Sequence, residues 1–302
     1  MKAQKNINTK SATNWHAQVI ILLLVFFSAC HKGPAETIIL GDFEDAPVAS
    51  PVIAGFADEA SGIADSHTMA GSLWVEQDGG NQSELILISQ TGSFIKRIPV
   101  NNATNRDWED MVISKDVANK TWVYIADIGD NNEQETEYFI YRFEEPAENS
   151  IAVDAPEKIS FKYPDGSHDA EAILVDAATR DIYIITKRDA VSKIYRLPFP
   201  QSTSSVISAE PAGSLAYNGV VSAAMSPDAK DIIIKTYTDI YYYKRQTGET
   251  IAATLQSAAV RLKYIMEPQG EAVCFKNDNS GFFTLSEKGL APSVDLRFYK
   301  RK

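Results

Sequence analysis

Acidic residues recur at the start of apolar, strand-like segments along this sequence. Glu109, Glu171 and Glu271 each begin such a segment, Ser61 begins the first one, and in the fourth the place falls on Ala223. Carboxylates brought together repel each other and raise one another's pKa unless a cation lies between them. Oxygen ligands suit calcium better than a softer metal. The pattern therefore predicts a calcium site, structural or functional, with the candidate ligands Ser61, Glu109, Glu171, Ser222 and Glu271. The alternative is that these side chains bind nearby backbone N–H groups and hold no metal.

A second set of polar residues ends the next strand-like segment of each unit. Its members are Gln77, Asp127, Lys187, Tyr237 and Glu287. Antiparallel pairing places the end of a second strand beside the start of the first, so both sets are expected on one face. The connecting loops add Arg106, Asp107, His168 and Asp169. A funnel of mixed charge is predicted there, and the alternative is a solvated loop face with ordinary ion pairs.

This funnel supplies candidate catalytic groups. Arg106 and Lys187 could neutralise an anionic group, and a general base could come from Asp127, Asp169 or Glu287.

Five diverged repeats would bring these residues together. They recur every ~48 to 62 residues, which is typical of four-stranded propeller blades. The strands are rich in β-branched and aromatic residues, and no long amphipathic helix is evident. An all-β fold is predicted, a five-bladed β-propeller with a six-bladed alternative. The fifth repeat ends after three strands, so a strand near the N-terminus, within residues 37–40 or 52–54, is expected to close the ring and remove an open edge.

The N-terminal residues predict export. Lys2, Lys5 and Lys10 precede an apolar run over residues 19–27, which is too short to span a bilayer. The run leads to Cys30, and the preceding Ser-Ala resembles the lipobox of bacterial lipoproteins. That resemblance implies a palmitate-bearing lipid anchor on Cys30 in the bacterial cell envelope, on the periplasmic side or at the cell surface. The alternative is an ordinary signal peptide with Cys30 incidental. We expect a signal peptide over residues 1–29, a lipidated tether over 30–36 and one propeller domain over 37–302.

The amino-acid composition restricts the kinds of partner that are expected. Loss of three lysines with the signal peptide would deepen the formal net charge from −11 to −14. Such acidity disfavours nucleic acid, and we expect membrane contact through the lipid anchor alone. Two cysteines give no disulfide framework. A monomer is expected.

The repeat layout and the axial set with Glu109, Glu171 and Glu271 resemble the calcium-activated nucleotidases (apyrases). Those are five-bladed propellers with calcium in the central tunnel. The segments Arg-Asp-Trp-Glu-Asp (106–110) and His-Asp-Ala-Glu-Ala (168–172) look more like uncharacterised bacterial propellers grouped with phytase-like or esterase-like proteins. The resemblance implies that phosphate-ester chemistry is conceivable here.

Three functions follow as hypotheses, and whether the protein is an enzyme stays open. The first is a binding module for a protein, glycan or phosphate ester, since no nucleophile motif or phosphate-binding glycine loop is present. The second is a calcium-dependent phosphohydrolase, in which the ion would polarise phosphoryl oxygens. The third, weaker one is glycoside hydrolysis with Asp107, Glu171 and Glu271.

Overall fold

The structure is a computed structural model that describes residues 42–302. The predicted signal peptide, Cys30, the tether and the candidate strand at 37–40 lie outside the described residues. Within residues 42–302, no helix is long and apolar enough to cross a membrane.

The described chain forms five sheets, which we number as blades in chain order; β1 (Val48–Val52) belongs to the last of them. Blade one contains β2 (Ala60–Asp65), β3 (Ser72–Gln77), β4 (Glu84–Ser89) and β5 (Phe94–Pro99). Blade two contains β6 (Trp108–Lys115), β7 (Thr121–Asp127), β8 (Tyr138–Glu144) and β9 (Glu157–Lys162). Blade three contains β10 (Ala170–Val175), β11 (Ile182–Thr186), β12 (Lys193–Leu197) and β14 (Glu210–Ser214). The short β13 (Ile207–Ser208) adds to blade two, parallel to β9.

Blade four contains β15 (Val220–Met225), β16 (Asp231–Thr236), β17 (Ile240–Lys244) and β18 (Val260–Leu262), with the short helix α1 (Ile251–Leu255) between the last two. Blade five contains β19 (Gln269–Phe275), β20 (Gly281–Glu287) and β21 (Val294–Lys300). Consecutive strands of each blade pair antiparallel, and the first strands β2, β6, β10, β15 and β19 neighbour one another around the central channel.

The N-terminal strand closes the ring, as predicted. β1 pairs antiparallel with β21, from Val48 opposite Phe298 to Val52 opposite Val294. The strand shares only Val52 with the candidate segment at 52–54. Its apolar pattern is weak because, as an outermost strand, it buries Val52 alone, and it tolerates Pro51 because a sheet edge can lack one donor.

Apolar side chains are buried between neighbouring blades. Five hydrophobic clusters fill the five interfaces between neighbouring blades, including the one between blades five and one. Alternate side chains of a strand point to opposite faces of its sheet, so each blade is apolar on both faces. Five interfaces in a closed ring confirm the five-bladed fold and leave no sixth blade within residues 42–302. Trp108, fully buried between blades one and two, packs rather than facing a ligand.

Candidate functional site

A β-bulge near the start of each first strand positions the acidic residues. The pairing of each first strand with the second strand of its blade shifts register there, so one residue per blade is left unpaired. These residues are Ser61, Glu109, Glu171, Val221 and Glu271. A bulge re-aims the unpaired side chain, and bulges are common beside functional sites.

Blade four therefore differs from the pattern expected from sequence. Val221 holds the bulge position, Ser222 lies one residue further along the strand and Ala223 lies two. The strand-like spacing could not reveal this, because a bulge adds a residue without changing the apolar pattern around it. The ring thus has an apolar member in blade four.

The next layer of the channel is centred on Asp110, which sequence analysis did not single out. Asp110 Oδ2 accepts hydrogen bonds from Ile173 N at 3.0 Å and Ala223 N at 3.3 Å, and Oδ1 accepts from Ser222 Oγ at 3.1 Å. Ser222 Oγ in turn accepts from Val273 N at 3.2 Å. Asp110 is fully buried, and its hydrogen bonds link blades two, three and four across the channel.

The two ends of the channel differ in chemistry. Beyond the Asp110 layer, where the first strands end, lies a cavity of about 260 Å³ with a mixed lining, which includes apolar Met111 and Val273 as well as His67 and Lys115. Cys274, a buried free cysteine, also lines it, as expected for a small apolar side chain. The starts of the first strands carry the carboxylates instead.

We call this carboxylate cluster the acidic mouth. It consists of Asp78, Asp107, Glu109, Asp169 and Glu171. One oxygen each of Glu109, Asp169 and Glu171 lies within 4.8 Å of the other two, and the same holds for Asp78, Asp107 and Glu109. Glu109 therefore belongs to two groups of three carboxylates.

Burial at the acidic mouth disfavours the charged forms of its carboxyl groups. Burial and then the charge of Glu171 raise the pKa of Glu109 well above its usual range. Burial raises the pKa of Glu171 to about 8, although Lys187 opposes this. Burial and Asp78 raise the pKa of Asp107 to about 6. Groups with such shifts favour either a bound proton or a bound cation.

Several carboxylate oxygens in this region lack a partner. Glu171 is 3% exposed, and its Oε2 has no hydrogen-bond partner among the described residues. Asp127 is fully buried, and only its Oδ1 is bonded, accepting from Asp107 N at 2.8 Å. Buried polar atoms without a partner are rare in proteins, and an ion or an ordered water often satisfies such atoms.

Two cationic side chains lie at the acidic mouth. Lys187 donates to Glu171 and, at 3.1 Å, to the hydroxyl of Tyr237. Burial lowers the pKa of Lys187, but Glu171 outweighs it, so the pKa is raised. Arg188 donates to Asp169 and has a side chain that is 46% exposed.

Other predicted residues lie outside the acidic mouth. Tyr237 donates to Glu271, which neighbours Glu287, and burial together with Glu271 raises the pKa of Glu287 to about 9. Arg106 is directed to the flank of blade two, where it contacts Glu135 at 3.2 Å and the ring of Tyr138. Ser61 Oγ donates to the backbone oxygen of Glu109 at 2.8 Å.

Of the predicted residues, then, the structure brings together Asp107, Glu109, Asp169, Glu171 and Lys187. His168 is buried nearby in separate contacts with Asp165 and Asp189, each at 3.1 Å. Asp78 was not predicted, although its position directly after the predicted second-strand residue Gln77 offered a signal.

Glycines leave room for this carboxylate cluster. A Cβ added at Gly129 would overlap with Glu109 Oε1 and Asp107 Oδ2, and one added at Gly79 would overlap with Asp107 Oδ1. The donors are all hard oxygens, the type that calcium and magnesium prefer. The acidic mouth thus offers the type of oxygen donor that a divalent cation requires.

Comparisons with known proteins find only distant structural similarity. No known protein family and no curated protein matches the sequence significantly. Solved structures that do match include the β-propeller domain of Myceliophteria thermophila Cps50 (Swd1), with 8% identity, a TM-score of 0.44 and coverage of 84% of this chain and 100% of that one. A glucose dehydrogenase shares 10% identity, with a TM-score of 0.48 and coverage of 83% and 99%. Hydrazine synthase of Kuenenia stuttgartiensis shares 10% identity, with a TM-score of 0.42 and coverage of 79% and 71%. At this similarity the matches carry no argument about ligand or reaction.

Proposed function

We propose that this protein is an exported, lipid-anchored propeller that binds an anionic ligand through a calcium ion at the acidic mouth. The observation that carries the proposal is the group of Glu109, Asp169 and Glu171. Their oxygens lie within 4.8 Å of one another, and Glu171 Oε2 is buried without a partner. A cation placed among these oxygens would satisfy them and relieve their repulsion.

Calcium suits this group better than other common metals. Calcium accepts six to eight oxygen ligands in flexible geometry, whereas magnesium demands a near-ideal octahedron. Three carboxylates would leave coordination positions for water or for a ligand. The absence of a described histidine or cysteine from the group disfavours zinc or copper.

The anionic ligand is inferred from the cations beside the group. Arg188 binds Asp169 through Nε while almost half of its side chain is exposed. A guanidinium offers donors in a planar fork that matches carboxylate and phosphate groups. Arg188 also donates to Asn131 Oδ1 through Nη2, so an ion at Asp169 and the remaining donors of Arg188 could contact the same anionic group.

Calcium-linked stability tests this proposal. The full-length protein in detergent is melted with calcium and with a chelator, alongside Glu109→Gln, Glu171→Gln and a control, Glu133→Gln, on an exposed residue of the neighbouring loop. We expect calcium to raise the melting temperature of the wild type and of Glu133→Gln, because a ligand that binds only the folded state stabilises it. Glu109→Gln and Glu171→Gln should lose most of this rise in melting temperature. An equal rise in all four proteins, or none in the wild type, would contradict the proposal.

A calcium-dependent phosphohydrolase is the second candidate, favoured by one observation. Asp107, with its pKa raised to about 6, lies beside Glu109 and could exchange a proton near neutral pH. Phosphate release from nucleotides and sugar phosphates, measured with calcium and with chelator, decides between the two candidates. Release that depends on calcium and falls at least tenfold in Asp107→Asn would favour the enzyme, and its absence would leave the binding module.

The lipid anchor is a separate part of the proposal and rests on the sequence around Cys30. Cys30→Ser is expected to abolish lipid labelling and to release the protein from the membrane fraction, because a membrane-stable anchor needs more than one acyl chain. Labelling with a fatty-acid analogue, followed by fractionation, measures this. Unchanged membrane association in Cys30→Ser would show another means of attachment.

A further inference from the structure

We infer that the acidic mouth takes a second divalent cation, bound by Asp78, Asp107 and Glu109, with Glu109 shared between the two ions. The inference builds on the proposed function, in which Glu109, Asp169 and Glu171 hold the first ion. One oxygen from each residue of the second group lies within 4.8 Å of the others, as in the first group.

The charges of the two groups are balanced differently. In the first group, Lys187 pairs with Glu171 and Arg188 pairs with Asp169. In the second group, no described lysine, arginine or histidine forms an ion pair with Asp78, Asp107 or Glu109. Lys187 and Arg106 act on Glu109 and Asp107 only through longer-range attraction, so the second group has no direct ion pair among the described residues.

Glu109, which both groups share, is a sign of a missing ligand. It is 4% exposed, and no described group donates a hydrogen bond to its carboxylate. A buried carboxylate without a donor or a cation is strongly disfavoured. The Asp78 carboxylate accepts only from the neighbouring Gly79 N, and the Asp107 carboxylate accepts from no described group.

The backbone around the second group is shaped to admit the carboxylates. Both Gly79 in blade one and Gly129 in blade two lie where a Cβ would overlap with an oxygen of Asp107. The half-buried Asp107 thus lies between two blades, with its oxygens close to the main chain of both. Two ions bridged by one carboxylate would make the acidic mouth a clamp for a ligand with two anionic oxygens, such as a phosphate.

Calcium stoichiometry of the full-length protein in detergent tests the inference. Equilibrium dialysis with atomic emission is expected to give two calcium ions per chain for the wild type and for the exposed control Glu133→Gln. Asp78→Asn and, separately, Asp107→Asn should bind one ion at the same calcium concentration, with the second ion weakened at least tenfold. Glu109→Gln should weaken both ions.

Folding of the variants is checked by melting in chelator. Each carboxamide keeps the shape of the carboxylate and removes a repelling charge, so the melting temperature in chelator should equal or exceed that of the wild type. If Asp78→Asn fails to fold, Asp107→Asn provides the same test at the same group.

The outcomes separate the two ideas. Two ions in the wild type and one in the variants support the second site. One ion in the wild type, retained by Asp78→Asn and Asp107→Asn, overturns the second site and leaves the proposed function standing. Two ions in both variants also overturn it, and no ion in the wild type overturns both.

Discussion

At the residue scale, a few buried ionisable side chains carry most of the chemistry of this protein. Glu109 lies among carboxylates without a donor, whereas the fully buried Lys235 is bonded to the backbone oxygen of Gly270 and lies 3.6 Å from Glu267. Glycines leave room for both side chains: a Cβ at Gly270 would lie 2.6 Å from Lys235 Nζ. A single substitution tests each of these two sites.

Gly129→Ala is expected to weaken calcium binding at least tenfold, because its Cβ would displace Glu109 Oε1 and Asp107 Oδ2. A calcium titration followed by intrinsic fluorescence measures the affinity. Melting in chelator serves as the control, since a general loss of folding would lower stability without calcium too. Unchanged affinity would show that neither oxygen contacts the ion.

Lys235 predicts a pH dependence of stability. Burial lowers its pKa from 10.5 to about 8, with Glu267 opposing. Between these two pH values the unfolded chain holds a proton that the folded protein has released, so the free energy of unfolding contributed by this group rises with pH across that window. Relative to Lys235→Met, the wild type should gain up to roughly 3 kcal/mol between pH 7 and pH 10.5, at 1.36 kcal/mol per pKa unit.

Urea unfolding at several pH values measures this difference. Lys230→Met, which removes an exposed lysine, is the matched control and should follow the wild type at every pH. A constant difference between wild type and Lys235→Met would show that Lys235 keeps its proton throughout.

At the element scale, the bulges of the first strands decide what faces the channel. Each bulge leaves one residue unpaired, and the residue after it enters the next layer, where Asp110 joins the blades. The first strands are thus held to each other by side chains as well as by blade packing. This arrangement places the acidic mouth on a rigid frame.

Asp110→Ala is expected to cost about 3–5 kcal/mol of unfolding free energy. It strips the buried donors Ile173 N, Ala223 N and Ser222 Oγ of their acceptor, and each buried unpaired donor costs about 1–3 kcal/mol. Ser222→Ala, which removes one of these donors, should cost clearly less. Chemical denaturation of both variants measures this, and equal costs would mean that Asp110 does not join the blades.

At the scale of the whole molecule, the ring depends on its N-terminal residues. β1 supplies the outermost strand of blade five, and Phe43 packs between blades four and five against Tyr242 and Phe282. Without these residues, β21 would present an unpaired edge, which favours association with another chain. The two termini of the described chain thus secure the same blade.

A chain that starts at residue 53 is therefore expected to lose at least about 3 kcal/mol relative to one that starts at residue 42, since deleting a buried phenylalanine side chain alone costs about that much. Urea denaturation and light scattering measure stability and association. Phe43→Ala in the longer chain separates the loss of packing from the loss of the strand. Equal stability of the two chains would show that the ring closes without β1.

The sequence by itself determined the class of fold and most of the strands. β-branched and aromatic segments at regular spacing require buried strands, and three strands in the last repeat require one from elsewhere, so five blades closed by an N-terminal strand could be predicted. It also identified Glu109, Glu171 and Lys187, because residues at equivalent repeat positions converge on the axis. The weakly apolar β1 was harder to place, since an edge strand buries only Val52.

Only the tertiary structure decided which residues share a layer of the channel and which carboxylates lie together. A bulge shifts register without a sequence signature, so Val221 could not be told from Ser222 or Ala223, and the role of Asp110 was hidden. Asp78 and Asp107 come from different blades, and their approach to Glu109 depends on how two neighbouring blades pack. Contacts of that kind are set by the distances between blades, which residue spacing within one repeat does not encode.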